Sequence, residues 1–252
     1  MDSDPHHPSQ NHLLAALPAD AYERLRPRLE LVHLSLGQVL YESGRKLGSL
    51  YFPTSAIVSM LYVLEDGASA EIGVVGNEGI LGVQMLMGGE TTPSRAVVQS
   101  AGWSYRLDAC FAKAEFERGG PLTVLLLRYI QALITQMSQT AVCNRHHCIE
   151  QQVCRWLLMS LDRHDGDSLV MTQDLIANLL GVRREGVTEA AGKLQRGGYI
   201  RYSRGHITVL DRPGLEKRVC ECYAVVKHEF DRLLLDIPPG DPQHVLGMAK
   251  AS

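Results

Sequence analysis

The stretch from Arg183 to Arg204 holds six cations and only two acids. Those residue types can read nucleic acid. Arg184 can donate two parallel hydrogen bonds to a guanine, and Glu185 and Glu189 can accept from cytosine N4 or adenine N6. Thr188 lies beside Arg184 near the start of the same segment, and Lys193 and Arg196 follow. Arg183, Arg204 and His206 suit phosphate oxygens, which position a protein on a duplex without specifying sequence. From charge alone, a solvated face with surplus Lys and Arg explains the segment equally well. A second set that could do chemistry is Cys143-x4-Cys148-x5-Cys154 with His146 and His147 inside it. On one straight helix Cys148 is turned about 140° from Cys143, and Cys154 lies about 16 Å along the axis. Without a bend these three cannot hold one ion, so buried free cysteines are the expected reading and no metal or cofactor is assigned.

The elements that must position the basic segment are legible around it. Thr172 is a good N-cap, and Asp174 in the first turn suits the helix dipole. Leu175, Ile176, Leu179 and Leu180 make one apolar face. Gly181-Val182-Arg183 turns the chain, and a second helix over about 184–196 directs Val187, Ala190, Ala191 and Leu194 inward. Glu185, Glu189, Gly192 and Arg196 project opposite that face. Gly197-Gly198 stop the helix. Strands at Tyr199–Tyr202 and Ile207–Leu210, joined by Ser203-Arg204-Gly205-His206, complete a winged helix-turn-helix. With the turn, the basicity and the wing together, a merely solvated amphipathic helix becomes the poorer explanation.

Upstream the texture differs. From about Leu29 to Leu107, short runs rich in Val, Ile, Tyr and Leu alternate with turn residues, and eleven of the 23 glycines fall between Gly37 and Gly102. Runs at 29–34, 38–41, 49–52, 56–64, 69–75, 96–99 and 103–107 predict an antiparallel roll, with a hairpin turn at Glu65-Asp66-Gly67. Leu13–Leu25 reads as a short helix ahead of it. After Gly119-Gly120-Pro121, Leu126, Ile130, Leu133, Met137, Thr140 and Asn144 recur at spacings of four and three. That is a heptad seam on a long helix. A buried helix of a monomer would also be apolar, but a seam this regular predicts a homodimer through Leu126, Ile130, Leu133 and Met137. After the wing, one helix over about Leu215–Leu235 is expected to pack on the rest.

The stretch Met171-Thr172-Gln173-Asp174-Leu175-Ile176-Ala177-Asn178-Leu179-Leu180-Gly181-Val182-Arg183-Arg184-Glu185-Gly186-Val187 resembles the helix-turn-helix signature of the Crp/Fnr family of bacterial transcription regulators. The resemblance covers about residues 13–235, and the order of roll, long helix and winged helix agrees with it. It implies an α+β fold with an N-terminal antiparallel β-roll that resembles a cyclic-nucleotide-binding domain, a dimerisation helix and a C-terminal winged helix-turn-helix. It also implies a homodimer on a palindromic double-stranded operator, Arg184 and Glu185 as base-contacting residues, and RNA polymerase as a partner. Arg183 stands where the family has a Ser/Thr cap, and Glu189 stands where the cyclic-AMP receptor has an arginine. The effector pocket implied by the resemblance would involve Glu78, Gly79, Ser94, Arg95 and Ser138. Ser94-Arg95 has the family's pair in reversed order, and the ribose-binding Glu aligns with Ile80 or Gly79. Cyclic AMP is therefore not the expected effector, and a different small molecule is the possible ligand. The oxygen-sensing branch of the family uses an N-terminal cysteine cluster, whereas no cysteine precedes Cys110.

Composition bounds these readings. The chain has 252 residues, 45% hydrophobic and 21% charged, within the range of folded globular proteins. Net charge is −3, yet 169–218 carries nine basic and five acidic side chains while 1–168 carries 13 and 18. No apolar run approaches the roughly 18 residues of a membrane span. The first residues lack the basic and apolar regions of a signal peptide. Six scattered cysteines do not make a disulfide framework. A reduced cytoplasmic protein, not membrane-bound, is expected. No Ser/His/Asp set or phosphate loop stands out, so no enzyme is expected. The expected division is a flexible 1–12, a roll at 13–118, the dimer helix at 119–145, the DNA-binding domain at 146–236 and a flexible tail at 237–252. Two alternatives remain: a redox or metal-sensing regulator using Cys143, His147 and Cys148, or a ligand-sensing module that does not bind DNA.

Overall fold

The computed structural model describes residues 6–164 and 166–235, so the tail expected at 237–252 lies outside the described residues. The segment expected to be flexible at 1–12 is tied down from His6 onward. The His6 ring lies 4.6 Å from Trp103. Fully buried Asn11 caps the first helix through its Oδ1 and donates from Nδ2 to the carbonyls of Pro53 and Gly79 at 2.9 and 2.8 Å. The helix expected over Leu13–Leu25 is two helices, α1 (His12–Ala15) and α2 (Ala19–Leu25). Pro18 lacks the N–H that would continue the first.

Seven strands follow where the alternation places them: β1 (Glu30–Leu34), β2 (Val39–Tyr41), β3 (Ser49–Pro53), β4 (Ile57–Val63), β5 (Ser69–Val75), β6 (Arg95–Ser100) and β7 (Gly102–Asp108). They form two antiparallel sheets, ordered β1-β7-β3 and β2-β6-β4-β5. Leu34, Leu50, Phe52, Ile57, Val98 and Leu107 fill the interior, each at most 1% exposed. The β4–β5 hairpin turns at Glu65-Asp66-Gly67, where Gly67 has φ 85° and Asp66 accepts from the Ala68 N–H. The helix α3 (Ala109–Glu117), capped by Asp108, leaves the roll.

Helix α4 (Pro121–His146) lies across the roll and against the C-terminal part of the chain. Tyr129 is fully buried, and a Cβ at Gly79 would stand 2.6 Å from its hydroxyl, so only glycine fits under that ring. Gln136 accepts from the Val74 N–H at 2.7 Å. Leu126, Ile130 and Leu133 are 1%, 8% and 5% exposed within the single chain. The stripe expected to face a partner therefore packs on this chain's own roll and C-terminal helix. The remaining elements are α5 (Ile149–Leu161), β8 (Ser168–Val170), α6 (Gln173–Leu180), α7 (Arg184–Arg196), β9 (Ile200–Ser203), β10 (His206–Val209), α8 (Arg212–Arg218) and α9 (Glu221–Phe230), with a π turn at Asp231–Leu235. The single helix expected over Leu215–Leu235 is thus broken at Val219-Cys220. Asp211 caps α8 by accepting from the Gly214 N–H, and the Arg212 guanidinium binds both Asp162 and the Tyr223 hydroxyl. Among the described residues, no helix is long and apolar enough to cross a membrane.

A polar chain joins the roll to α5. The Ser59 Oγ is 2.6 Å from Glu71 Oε2 and 2.7 Å from Gln99 Oε1, and Gln99 donates to Ser160 at 3.0 Å. Ser59 has one proton for two acceptors, so a neutral Glu71, donating its own, satisfies every group. Burial pushes the Glu71 carboxyl up to about 7, against the opposing pull of Ser59, Arg155 and Arg163. A carboxyl raised on folding stabilises fully below its unfolded value and loses that contribution as pH rises through about 7. Thermal melting should show Tm falling between pH about 5 and 8. Glu71→Gln, which keeps a donor to Ser59, should flatten that slope and raise stability at pH about 8 by roughly 1–3 kcal/mol. A slope that survives unchanged in Glu71→Gln would contradict the assignment.

Candidate nucleic-acid interface

Two helices and a hairpin build this surface. Thr172 caps α6 by accepting from the Leu175 N–H at 3.2 Å. Gly181 ends α6 in a left-handed conformation, φ 65°. Arg183 occupies the N-cap of α7 without a side-chain capping bond. Val187, Ala190, Ala191 and Leu194 are buried, which holds α7 against the body of the domain. On that packed side, a Cβ at Gly186 would stand 2.5 Å from Ile149 Cδ1, so glycine lets α5 and α7 touch.

The opposite side of α7 is exposed. Arg183, Arg184, Glu185, Thr188, Glu189, Lys193 and Arg196 are all accessible, as are Thr172 on the α6 side and Arg204 and His206 on the hairpin. Two contacts fasten the starts of α6 and α7 together. Arg184 Nε is 3.3 Å from Asp174 Oδ1, and the Thr188 hydroxyl donates to Gln173 Oε1 at 2.7 Å. Both partners of the Arg184–Asp174 pair are more than 60% exposed, so exchange of Asp174 for a base edge costs little. Glu189 pairs with Lys193 at 2.9 Å, and that ammonium holds its carboxyl below the usual range.

The hairpin is a true wing. Strands β8, β10 and β9 form one antiparallel sheet, and β8 is a third strand that periodicity alone did not suggest. Arg204 and Gly205 form the tip with φ 51° and 79°. Left-handed backbone at an arginine is uncommon, and Arg204 is exposed there. Tyr202 braces the wing twice. Its N–H donates to Gln195 Oε1 on α7 at 2.7 Å, and its hydroxyl donates to the Met171 carbonyl at 2.9 Å. Wing, α6 start and α7 are therefore tied together. Gln173, Gln195 and Tyr202 are positioning residues that no sequence signal marked, because each acts through a partner outside its own element.

The residues grouped as an effector pocket do not share a cavity. Glu78 accepts from Arg163 Nε at 2.7 Å and from the Gly76 N–H at 3.0 Å. Arg95 pairs with Glu42 at 3.2 Å. Ser94 is buried and bonded to Thr92, Gly79 lies under Tyr129, and Ser138 sits on the outer side of α4, bonded to the Ile134 carbonyl. A cavity of about 250 Å³ opens between roll, α5 and α9, lined by Glu78, Arg163, Tyr223 and Lys227, and of the five only Glu78 reaches it. The cysteine set also divides. Cys148 is exposed, and burial pushes the Cys154 thiol up to about 12.

Two family models match the chain and together span more than half of it. The cyclic nucleotide-binding domain matches residues 31–115, and the Crp-like helix-turn-helix domain matches residues 151–218. None of the curated proteins matches. Among solved structures, FixK2 from Bradyrhizobium japonicum is 13% identical with a TM-score of 0.64, over 76% of this chain and 98% of its own. A CRP-family transcriptional regulator from Thermus thermophilus is 18% identical with a TM-score of 0.61, over 74% and 95%. CLP from Xanthomonas campestris, described as a c-di-GMP responsive global regulator, is 16% identical with a TM-score of 0.60, over 77% and 99%. Those likenesses carry the fold, and the two domain matches carry the rest: with a cyclic nucleotide-binding domain followed by a Crp-like helix-turn-helix domain, the chain belongs to the Crp/Fnr family of transcription regulators.

Proposed function

We propose that the protein is a homodimeric, sequence-specific regulator that lays α7 in the major groove of a two-fold-symmetric DNA site. The observation that carries this is the accessible row Arg184, Glu185 and Thr188 at the start of α7, on a helix whose other side is buried and whose wing is braced to it. Arg184 and Glu185 read base edges. Arg183, Lys193, Arg196, Arg204 and His206 surround them with phosphate-seeking charge, and Thr172 and Glu189 complete the surface. The division into roll at 13–118, linking helix at 119–145 and DNA-binding domain at 146–236 belongs to the same proposal. So do action on RNA polymerase in the cytoplasm and the absence of catalysis.

The dimer uses a different stripe from the one that the heptad spacing first suggests. Leu127, Ile134 and Val142 are 54%, 55% and 47% exposed on α4. Residues 127, 131, 134, 138 and 141 repeat the four-three spacing one residue along from the buried seam. A heptad stripe on a 26-residue helix is complementary to its own copy, which favours a second chain as its partner.

Cyclic AMP is excluded as a tight ligand on this reading. Ile80, at the ribose-binding position, is fully buried and has no side-chain acceptor. Ser94-Arg95 stands in the reversed order, which on a strand turns the guanidinium to the opposite face, and Ser94 is bonded to Thr92. Loss of a charged partner to a phosphate costs about 2–5 kcal/mol.

Selection of bound sites from random DNA should return an inverted repeat. Arg184→Ala should lose preference at one base pair per half-site, a cost of about 1–3 kcal/mol, while Arg204→Ala should weaken all sequences alike and lower the salt slope by about one per chain. An unchanged selected site in Arg184→Ala would refute the α7 assignment. Sedimentation should give a dimer for the natural chain at micromolar concentration. Leu127→Asp with Ile134→Asp should give a folded monomer, because it buries like charges across the seam, and a monomeric natural chain would refute the interface. Calorimetry with cyclic AMP should show no site in the low micromolar range, and such a site would mean that Arg95 or Glu78 changes partner.

A further inference from the structure

Where α4 ends, four side chains from distant parts of the chain converge. Cys143 is in the last turn of α4 and His147 is its C-cap. Cys220 is the N-cap of α9, and Cys222 lies in its first turn. Cys143 Sγ and Cys220 Sγ are 3.6 Å apart, and Cys222 Sγ and His147 Nδ1 are 3.5 Å apart. All four potential ligand atoms lie within 4.8 Å of one another. The three cysteines are at most 3% exposed.

We propose that Cys143, His147, Cys220 and Cys222 form a closed structural site for one zinc ion. The distances carry the assignment. Zinc takes thiolate sulfur at about 2.3 Å and imidazole nitrogen at about 2.0–2.1 Å in a tetrahedron. A tetrahedron of those radii has sulfur–sulfur edges of about 3.8 Å and sulfur–nitrogen edges of about 3.6 Å. These two contacts are within 0.2 Å of those edges, and the remaining separations, all within 4.8 Å, close by at most about 1 Å around an ion. A disulfide would need the sulfurs at about 2.05 Å. An iron–sulfur cluster would place its own iron and sulfide atoms between the cysteines and needs them farther apart than they are. Hard cations prefer oxygen ligands, and this set has none.

The surroundings fit a metal site. His147 turns Nδ1 toward the thiols and Nε2 toward Glu221 Oε1 at 3.4 Å, the carboxylate–histidine arrangement that fixes ring orientation at zinc. Gln152 donates to the His147 carbonyl at 2.9 Å and holds the backbone there. Three thiolates and one Zn²⁺ leave a net charge of −1. The buried Arg155 guanidinium, bonded to Thr140 one turn before Cys143 on α4, offsets it. With four protein ligands and no open position, the ion is structural. It fastens the end of α4 and the hinge after it to α9. The site differs from a grouping of Cys143 and His147 with Cys148, and it reverses the expectation of no bound metal.

The test uses the full chain without a histidine tag, isolated in reductant, and needs no DNA. Elemental mass spectrometry should find about one zinc per chain. Replacement by Co²⁺ should give the intense visible bands of a tetrahedral thiolate site. Cys220→Ser and Cys222→Ser should each lose most of the metal, whereas Cys148→Ser and Cys110→Ser should retain it. If the first two variants misfold, the cobalt spectrum of the natural chain still decides. Absence of metal together with a featureless cobalt titration would overturn the proposal. So would stoichiometric iron or copper, a Cys143–Cys220 disulfide in the freshly isolated protein, or loss of metal in Cys148→Ser.

Discussion

The packing of α4 on two sides is the constraint on which the rest depends. One side must fit the roll closely enough that Tyr129 rests on Gly79 and Gln136 completes the backbone of β5 at Val74. The same helix must present Leu127 and Ile134 outward. Successive residues on a helix differ by about 100°, so the two stripes lie side by side and cannot be exchanged without unpacking the roll. Any movement of the roll against α4 is thereby imposed on the outward stripe.

A second coupling runs from roll to DNA-binding domain without passing through α4. Arg163, just beyond α5, is buried and fixed to Glu78 of the roll. Ser59, Glu71 and Gln99 reach Ser160 of α5. At the same end of α5, Asp162 holds Arg212 and Tyr223, which place α8 and α9. A buried ion pair such as Arg163–Glu78 contributes little net stability, since desolvation offsets the attraction, but losing one partner is costly. Its consequence is therefore a fixed docking geometry, and a ligand at Glu78 or a proton on Glu71 would act on that geometry directly.

Much of this is legible in the residues, and the part that is not has identifiable causes. The strands of the roll follow from alternation and turn residues, because a half-buried strand must repeat every second residue. The α6–α7 unit follows from Thr172, Gly181 and the inward row Val187, Ala190, Ala191 and Leu194. Spacing points to the wrong stripe of α4 because a helix with apolar residues on adjacent rows does not encode which row meets its own domain. Leu126, Ile130 and Leu133 make the more regular heptad, yet the roll claims them. The break between α8 and α9 is silent in sequence because Val219 and Cys220 carry no breaker. Asp162 and Glu150, holding Arg212 and Arg218 from outside, set the direction of α8 instead. Cys220 and Cys222 are more than 70 residues from Cys143. No local spacing rule connects them, and only the turn at Val219 brings them together. The effector residues are the least legible, since Glu78 and Arg95 look free in sequence and are both paired within the chain.

These contacts make α5 a lever between two anchors. Its inner end leaves the hinge at His147, beside the cysteines of α9, and its outer end is held to the roll through Ser160 and Arg163. Its 13 residues span about 20 Å, and α7 packs on its side through Gly186 and Ile149. A tilt of about 10° at the hinge would move the far end by about 3 Å over that length. In a symmetric dimer both recognition helices would have to match half-sites about one helical turn apart, roughly 34 Å, so the orientation that α5 gives to α7 would bear on register. The roll-side anchor contains the titratable Glu71, whereas the hinge-side anchor is buried and closed. The physical asymmetry is that the roll side carries a carboxyl whose charge can change near neutral pH, whereas the cysteine side is sealed from solvent.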